Sequence, residues 1–380
     1  MPMNMRLSRS IVGEAEALAV RRLLLEDGYL GMGSEVRLFE AELAAFLGRR
    51  PEQLISVNSG TAALHLAVQA ALEPGSEVLL PSLTFVASFQ AVSAAGCVPV
   101  ACEVRADSAT IDLRDAEQRL GARTRAIMPV HYASNPFMLD ETYAFARKHG
   151  LRVIEDAAHA FGCCSKGRRI GSFGDIVCFS FDGIKNITCG EGGCIVTADE
   201  QVARRCCDAR LLAVQNDTQA RYAGTRSWDF DVCDQGYRFH MSNIMAAIGR
   251  VQLARLEGEF APARKRLAAI YRECLAHTPN LRFFSSDPAD DIVPHIMPVC
   301  IAAGRRDALK ATLAAAGIPT GMHYKPGHLL ARYGGGQPSL PITEALYDEL
   351  LSLPLHPGLS EAEVRQVCAL LHDELSRASP

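Results

Sequence analysis

The sequence of 380 residues has no apolar stretch near the roughly 18 residues that a membrane-spanning helix requires. Its first residues, 1–10, contain no apolar core of signal-peptide length, so a cytoplasmic protein is expected. Neither sign of charge dominates: the net charge is −4 and the signs are interspersed, which argues against nucleic acid or an anionic membrane as the main partner. Internal repeats and low-complexity segments are also missing. With 48% hydrophobic and 22% charged residues, the chain is typical of a folded protein with one large and one smaller domain.

The 13 cysteines are scattered and lack the Cys-x-x-Cys spacing of zinc and redox sites. Two pairs are adjacent in sequence, Cys163-Cys164 and Cys206-Cys207, and neither has that spacing. An odd number of cysteines in a chain expected to be cytoplasmic favours free thiols, many of them buried as small apolar groups. No metal site is therefore predicted.

Between residues 50 and 200, short apolar runs alternate with helical segments, which predicts an α/β fold. The predicted strands are 55–57, 77–81, 98–101, 126–130, 153–155, 176–180 and 194–197. Because these runs are apolar throughout, we expect a large, mostly parallel sheet covered by helices on both faces. Ser242 is expected to cap a helix over 241–257, and the pattern restarts after Pro279 as a smaller α+β unit. The predicted domains are residues 1–250 and 251–380.

Three segments carry, in this order, residue types that a pyridoxal phosphate (PLP) enzyme needs. Asn58-Ser59-Gly60-Thr61 precedes an Ala/Leu-rich helix, whose free backbone N–H groups could cradle a phosphate. Asp156 ends a predicted strand and could keep a pyridine nitrogen protonated, while Lys185 could hold the cofactor as a Schiff base. Taken singly, each is more often a helix cap, a surface carboxylate or a solvated lysine. Their joint occurrence favours the enzyme.

The surrounding segments resemble the DegT/StrS-type family of PLP-dependent sugar aminotransferases, within the fold-type I (aspartate-aminotransferase-like) superfamily. The resemblance extends from Ile11 to about Leu371. The matching segments are 28–33, 58–61, 81–87, 155–160, 180–186, 236–243, 321–324 and 353–358. It implies a fold-type I structure with a small C-terminal domain, a cofactor that alternates between PLP and its amino form PMP, and a homodimer with shared active sites.

The resemblance also implies roles for individual residues. Lys185 and Asp156 would be catalytic and would both contact the cofactor. The other implied cofactor contacts are His159, Gly60, Thr61, Phe85, Ser180, Asn186, Arg238 and Asn243. The candidate substrate contacts are Tyr29, Met32, His323, Tyr324 and His328, with Trp228 and the loop 215–234 as further candidates beside the sugar. Within these sets, Phe85 would stack on the cofactor ring and His159 would lie beside its phenolic oxygen.

Three positions depart from the commonest family pattern. Asp182-Gly183-Ile184 replaces the usual His/Tyr-Pro-Thr before the lysine, and Arg238 stands where many members carry Asn. The segment 130–135 differs from the usual Tyr-Gly turn, which leaves the identity of the substrate open.

The implied reaction is a ping-pong transamination. An amino acid, glutamate in most of the family, would give its amino group to the cofactor, and a keto-sugar of a nucleotide-linked deoxyhexose would receive it, at C4 by the likeness of segment 237–243. Such products enter lipopolysaccharide or antibiotic biosynthesis. The alternatives are a 3-keto-sugar or cyclitol aminotransferase, a PLP-dependent sugar dehydratase, or a non-catalytic regulator of the same fold. Lys185 argues against the dehydratase, whose branch carries His at that position, and a regulator would be expected to have lost Lys185 or Asp156.

Overall fold

The computed structural model describes residues 5–215, 217–223, 230–232, 234–302, 304–335 and 339–377. The helices are α1 (Glu14–Arg22), α2 (Ser34–Leu47), α3 (Gly60–Ala71), α4 (Val86–Ala94), α5 (Leu113–Gln118), α6 (Leu139–His149), α7 (Glu200–Ala209), α8 (Asp217–Tyr222), α9 (Asn243–Arg255), α10 (Ala261–Leu275), α11 (Arg306–Ala315), α12 (Pro341–Glu349) and α13 (Glu361–Ser376), with π-helical turns at Leu23–Asp27 and Leu256–Phe260. The strands are β1 (Leu54–Val57), β2 (Glu77–Pro81), β3 (Val98–Cys102), β4 (Thr124–Ile127), β5 (Arg152–Asp156), β6 (Cys164–Ser165), β7 (Arg168–Arg169), β8 (Ile176–Ser180), β9 (Gly193–Thr197), β10 (Leu281–Arg282), β11 (Met297–Ile301) and β12 (Leu350–Leu353).

A seven-stranded sheet of order β1-β9-β8-β5-β4-β2-β3 forms the centre of the molecule. The β2–β3, β2–β4, β4–β5 and β5–β8 pairs are parallel, whereas β9 runs antiparallel to both β8 and β1. The predicted α/β fold with a mostly parallel mixed sheet is therefore confirmed. Since β1, β5 and β8 run the same way, their carboxyl ends meet at one edge of the sheet, where ligands of such sheets bind.

The central strands are buried on both faces, as their unbroken apolar runs indicate. In β8, Ile176 and Cys178 pack into one hydrophobic cluster with α3, whereas Val177 and Phe179 pack into a second cluster with α2. This alternation follows from the period of two along a strand. The sheet is thus the middle layer between two layers of helices.

Most predicted elements have bounds close to the observed ones. The predicted strands 77–81 and 176–180 match β2 and β8, and Ser242 caps α9 by accepting a hydrogen bond from Met245 N at 3.3 Å. The predicted strand 126–130 is shifted: β4 ends at Ile127, because Pro129 has no N–H to continue the ladder.

A three-stranded antiparallel sheet of order β10-β11-β12 lies in the C-terminal part of the chain. Residues of α10, α11 and α13 cover it in a hydrophobic cluster of their own, which also contains Met5. The smaller α+β unit predicted after Pro279 is therefore present, although its first helix begins upstream at Ala261. The division of the chain at residue 250 stays a prediction.

The described residues contain no helix that is long and apolar enough to cross a membrane. In the same part of the chain, no three His, Cys, Asp or Glu side chains lie close enough together to hold a metal ion. All cysteines of the described residues are free thiols.

Candidate active site

The start of α3 and the end of β8 touch at the carboxyl edge of the large sheet. Ser59 caps α3 by accepting a hydrogen bond from Ala62 N at 3.1 Å. A Cβ placed on Gly60 would lie 2.6 Å from Ser180 Cβ and 2.9 Å from Ser180 Oγ, so only glycine fits between them. Thr61 follows on the exposed side of the helix. The structure thus brings Gly60, Thr61 and Ser180 together beside the free N–H groups of a helix start, which is a favourable place for a phosphate.

Asp156 lies buried at the end of β5, held by two hydrogen bonds. Its Oδ2 accepts from Ser88 Oγ at 2.7 Å, and its Oδ1 accepts from Ala158 N at 3.2 Å. The Ser88 hydroxyl lies 2.8 Å from the Thr84 hydroxyl, so a chain of polar groups on α4 orients the carboxylate. This arrangement holds both oxygens of the Asp156 carboxylate in place.

Phe85 and Tyr324 place two aromatic rings beside this carboxylate. Phe85 precedes α4, is 53% exposed and lies with its ring centroid 5.3 Å from that of Tyr324. An aromatic side chain that is half exposed within a polar site offers a face on which a flat ligand ring can stack. The predicted position of Phe85 at the site is consistent with this geometry.

Lys185 follows β8 in a loop whose backbone turns through a hydrogen bond from Lys185 N to Asp182 O at 3.1 Å. Burial lowers the pKa of the Lys185 amine to about 8, with a further lowering by Arg264, against the opposing effect of Asp156 and Asp182. Asp156, 29 positions before Lys185 in sequence, is thus near enough to the lysine to influence its pKa. An amine with this pKa is substantially neutral near pH 8 and can act as a nucleophile and as a base.

Three histidines surround the lysine. His159 Nε2 lies 3.0 Å from Tyr324 Oη, and the His159 ring centroid is 4.5 Å from that of His295. His323 Nδ1 lies 2.7 Å from Ser352 Oγ. Burial and the Lys185 charge hold the pKa of His159 and His295 well below the ordinary value and lower that of His323 to about 4. Near neutral pH these rings are therefore uncharged, and those of His159 and His323 lie within hydrogen-bonding distance of hydroxyls.

Two of the predicted cofactor contacts, Asn186 and Asn243, form side-chain hydrogen bonds with other residues of this chain. Asn186 Nδ2 donates to Phe161 O at 3.0 Å and to Val293 O at 3.1 Å, which fixes the loop after Lys185. Asn243 accepts from Gly33 N and Val36 N and donates to Tyr29 O at 2.8 Å, so it holds the N-terminal glycine-rich loop.

Met32 and His328 lie away from the space around Lys185. Met32 is fully buried in the cluster with α2, and His328 is buried with Nδ1 2.6 Å from Ser82 Oγ and Nε2 3.2 Å from Glu344. The geometry favours a packing role for Met32 and a bracing role for His328, because both are occupied by neighbours of the same chain.

Two other predicted residues are exposed. Tyr29 is 48% exposed, with its ring against Gly31 and Gly33. The exposed guanidinium of Arg238 forms no ion pair or hydrogen bond with any described residue. Both side chains are free to meet a ligand or a second chain. Trp228 and part of the loop 215–234 lie outside the described residues.

Several polar residues beside the site were missed by the sequence analysis. Thr84 and Ser88 could have been predicted from the sequence. They lie four positions apart, on either side of Phe85, and residues with this spacing share one face at the start of a helix. His295 and Arg264 could not have been, because they come from the C-terminal part of the chain and reach Lys185 only through the tertiary fold.

The residues at this edge fit pyridoxal phosphate. The start of α3, packed too closely for any side chain at residue 60 and flanked by hydroxyls, suits its phosphate. The buried carboxylate suits its pyridine nitrogen, the accessible aromatic face suits its ring, and the half-buried lysine amine suits its aldehyde. His159 Nδ1 is also buried without a hydrogen-bond partner among the described residues.

Comparison with known proteins agrees with this geometry. Residues 11–372 match the model of the DegT/DnrJ/EryC1/StrS aminotransferase family. The aminotransferase TlmJ from Streptoalloteichus hindustanus is 32% identical over 98% of this chain and 99% of that chain, with a TM-score of 0.91. DesV of S. venezuelae, solved in complex with a ketimine intermediate, is 35% identical over 96% and 95% of the two chains, with a TM-score of 0.87.

The sugar aminotransferase Spr1654 from Streptococcus pneumoniae, described as putative and solved in its PLP form, is 26% identical over 98% of each chain, with a TM-score of 0.90. The family match spans nearly the whole chain, and these relatives cover it almost end to end. The chain belongs to the DegT/DnrJ/EryC1/StrS aminotransferase family, whose members are PLP-dependent sugar aminotransferases.

Proposed function

We propose that this protein transfers an amino group from an amino acid, with glutamate as the first candidate, to C4 of a keto-sugar in a nucleotide-linked deoxyhexose. The observation that supports the reaction type most directly is that the half-buried Lys185 follows β8 and the buried Asp156 ends β5, at the edge of the sheet where α3 starts, near enough for Asp156 to influence the lysine pKa. When bound, PLP supplies an aldehyde that receives and returns the amino group, and a ring that accepts electrons from the carbon being deprotonated.

The chain's own residues would hold the cofactor at three points. The backbone N–H groups at Gly60 and Thr61, with the Ser180 hydroxyl, would bind the phosphate. Phe85 would cover one face of the ring, and Asp156 would pair with the pyridine nitrogen while Ser88 holds its second oxygen. These contacts keep the reacting carbon in place while its amino partner changes.

Lys185 would move the proton in both half-reactions. Because its pKa is lowered to about 8, a substantial part of the amine is neutral near that pH and can take the proton from the α-carbon of the donor. Once protonated, the same amine would deliver a proton, and with the sugar the order of its two roles would be reversed. His159, kept neutral by burial, would donate or accept a hydrogen bond at the phenolic oxygen without adding charge.

A homodimer is proposed for the assembly. Val12, Leu18, Leu24 and Leu25 leave an apolar face on α1 and the following π-helical turn, each between 50% and 69% exposed. A groove of about 560 Å³ runs along part of this face. An exposed apolar face of this kind marks a protein–protein contact, and a second copy of the chain is the partner that the resemblance implies. The unpaired Arg238 would then be free to contact the neighbouring subunit's cofactor.

Two alternatives remain within the same chemistry: amination at a 3-keto position, or amination of a cyclitol. Retention of both Lys185 and Asp156 argues against a dehydratase or a regulator without activity. The cytoplasmic location stays a prediction of the sequence.

The proposal is tested with the full-length protein, Lys185→Ala and a matched control, Lys325→Ala, which removes an exposed lysine next to Tyr324. The wild type and the control should be yellow with bound cofactor and should aminate one member of a panel of nucleotide-linked keto-sugars with glutamate as donor. Lys185→Ala should lose the yellow absorbance and all turnover. Turnover retained by Lys185→Ala would refute the assignment, and a panel in which only a 3-keto-sugar or a cyclitol reacts would refute the C4 position.

A further inference from the structure

A buried guanidinium without a carboxylate partner lies next to the lysine loop. Arg264, on α10, is 2% exposed, and its Nη1 donates to Pro294 O at 3.2 Å and to His295 O at 3.1 Å. Its Nη2 donates to Ile184 O at 3.4 Å, the residue that precedes Lys185. No described Asp or Glu forms an ion pair with it. Buried charges are normally paired, so this position calls for an explanation.

A small cavity lies beside Arg264. Arg264, Lys185, Asn186, Gln252 and Arg9 are among the residues that line a cavity of only about 10 Å³. That volume corresponds to a single water molecule at most. Arg264 Nε and Asn186 Oδ1 both lack a protein partner, and they are a complementary donor and acceptor. Among the described residues, no carboxylate neutralises the Arg264 charge.

The positive charge of Arg264 lowers the pKa of three nearby basic groups. It lowers the pKa of Lys185, for which burial is the larger cause, and it also contributes to the lowered pKa of His295 and His356. The charged and titratable groups that face Lys185 or Arg264 are Asp156, Asp182, His159, His295, His323, His356 and Arg9. Of these, Asp156 and Asp182 oppose the effect of Arg264 on the lysine.

We propose that Arg264 is a positioning residue for Lys185: its hydrogen bonds tie Ile184, the residue before the lysine, to the segment Pro294–His295 that leads into β11, and they hold its guanidinium, which no described carboxylate pairs, at the cavity that Lys185 also lines. The inference rests on the proposed role of Lys185. Arg264 would thereby link α10, in the C-terminal part of the chain, to the Lys185 loop that follows β8 of the large sheet. A carboxylate partner for Arg264 would cancel the charge, which gives a physical reason for its absence.

The test measures the lysine itself, without catalysis. The full-length chain, freed of cofactor, is labelled by reductive methylation between about pH 6 and about pH 10, and modification of the Lys185 peptide is followed by mass spectrometry. The wild type should show a midpoint near the lowered pKa of about 8. Arg264→Met should raise that midpoint, whereas Arg264→Lys, which keeps the charge, should leave it unchanged.

Arg272→Met is the matched control, because Arg272 lies on the same helix over the Phe283 ring at 5.1 Å and forms no contact with the lysine loop. It should leave the midpoint unchanged. A folded Arg264→Met with an unshifted midpoint, or equal shifts in Arg264→Met and Arg264→Lys, would overturn the proposal.

If Arg264→Met does not fold, the positioning role of Arg264 is tested with Arg264→Lys alone. This variant loses the fixed fork of hydrogen bonds, so amide hydrogen exchange over residues 183–187 should become faster while the midpoint is kept. Unchanged exchange in this loop would contradict the positioning role. If the wild type lacks transaminase activity yet the midpoints shift as expected, the proposed function fails and the effect of Arg264 on Lys185 stands.

Discussion

Gly60→Ala is expected to destabilise the protein and weaken its hold on the cofactor, for a reason that the geometry makes explicit. The new Cβ would lie 2.6 Å from Ser180 Cβ, 2.9 Å from Oγ and 3.1 Å from Cα, all of them atoms of a central strand that cannot move freely. Overpacking of a well-packed interior costs about 1–3 kcal/mol. Since α3 must shift away from β8 to relieve the overlap, the N–H groups at its start would leave the positions in which they are proposed to bind the phosphate.

A double variant separates the overlap from other causes. Ser180→Gly removes Cβ and Oγ, so the nearest remaining atom of residue 180 to the new Cβ is Cα at 3.1 Å. The combination Gly60→Ala/Ser180→Gly should therefore regain most of the lost stability, apart from about 0.5–1 kcal/mol for glycine within a strand. Affinity for the cofactor should stay low in the double variant, because the Ser180 hydroxyl is gone. Urea unfolding of the cofactor-free protein measures the first effect, and a cofactor titration measures the second.

Gly258→Ala provides the control, because a Cβ there meets no atom within 4 Å in a helical turn. It should be neutral or stabilise the protein by about 0.5–1 kcal/mol. The reasoning would be refuted if Gly60→Ala were as stable as the wild type, or if Ser180→Gly failed to improve the stability of the Gly60→Ala protein.

Two further outcomes follow from hydrogen bonds and from buried histidines. Ser88→Ala removes the hydroxyl that donates a hydrogen bond to Asp156 Oδ2 at 2.7 Å. A hydrogen bond to a charged group contributes about 1.5–3 kcal/mol, so cofactor affinity or kcat should fall at least about tenfold. Ser93 lies on the same helix, but its hydroxyl lies 2.9 Å from that of Tyr333, so the control variant Ser93→Ala should change neither quantity. Unimpaired cofactor affinity and kcat in Ser88→Ala would contradict the proposed pairing of Ser88 with Asp156. His323 and His240 have a pKa of about 4 in the folded protein, against 6.5 ordinarily. Between these pH values the unfolded chain therefore binds more protons than the folded protein. The free energy of unfolding should fall as the pH drops from 6.5 towards 4. Unfolding midpoints at pH 7 and pH 4.5 check this sign, and His323→Gln with His240→Gln should flatten the dependence.

The chemistry-bearing residues were readable in the sequence because each stands where the backbone pattern changes. Gly60 follows an apolar run and opens a helix, Asp156 closes a strand, and Lys185 precedes a glycine-rich loop. Parallel strands place such positions at one edge of a sheet, so local pattern and the rule for parallel sheets together predicted that they meet. The resemblance to a family added the aromatic ring of Phe85 and the imidazole of His159.

Other roles could not be read locally. Met32 and His328 looked like substrate contacts, but what a side chain touches depends on which segments pack on it, and both face neighbours of the same chain. Asn243 likewise turned out to brace the N-terminal loop across more than 200 positions of sequence. Nothing in the spacing of these residues records that packing.

The sequence by itself determined the order of strands and helices, the parallel sheet, and the residues at its carboxyl edge, because periodicity and helix-start chemistry are local properties. Only the tertiary structure decided which groups lie around the lysine loop. It brings Arg264, unpaired and buried, from the C-terminal unit to the loop of Lys185, and it sets His159, His295 and His323 around the same amine. Burial and electrostatic influence depend on distances through space, which arise only once segments far apart in sequence have packed together.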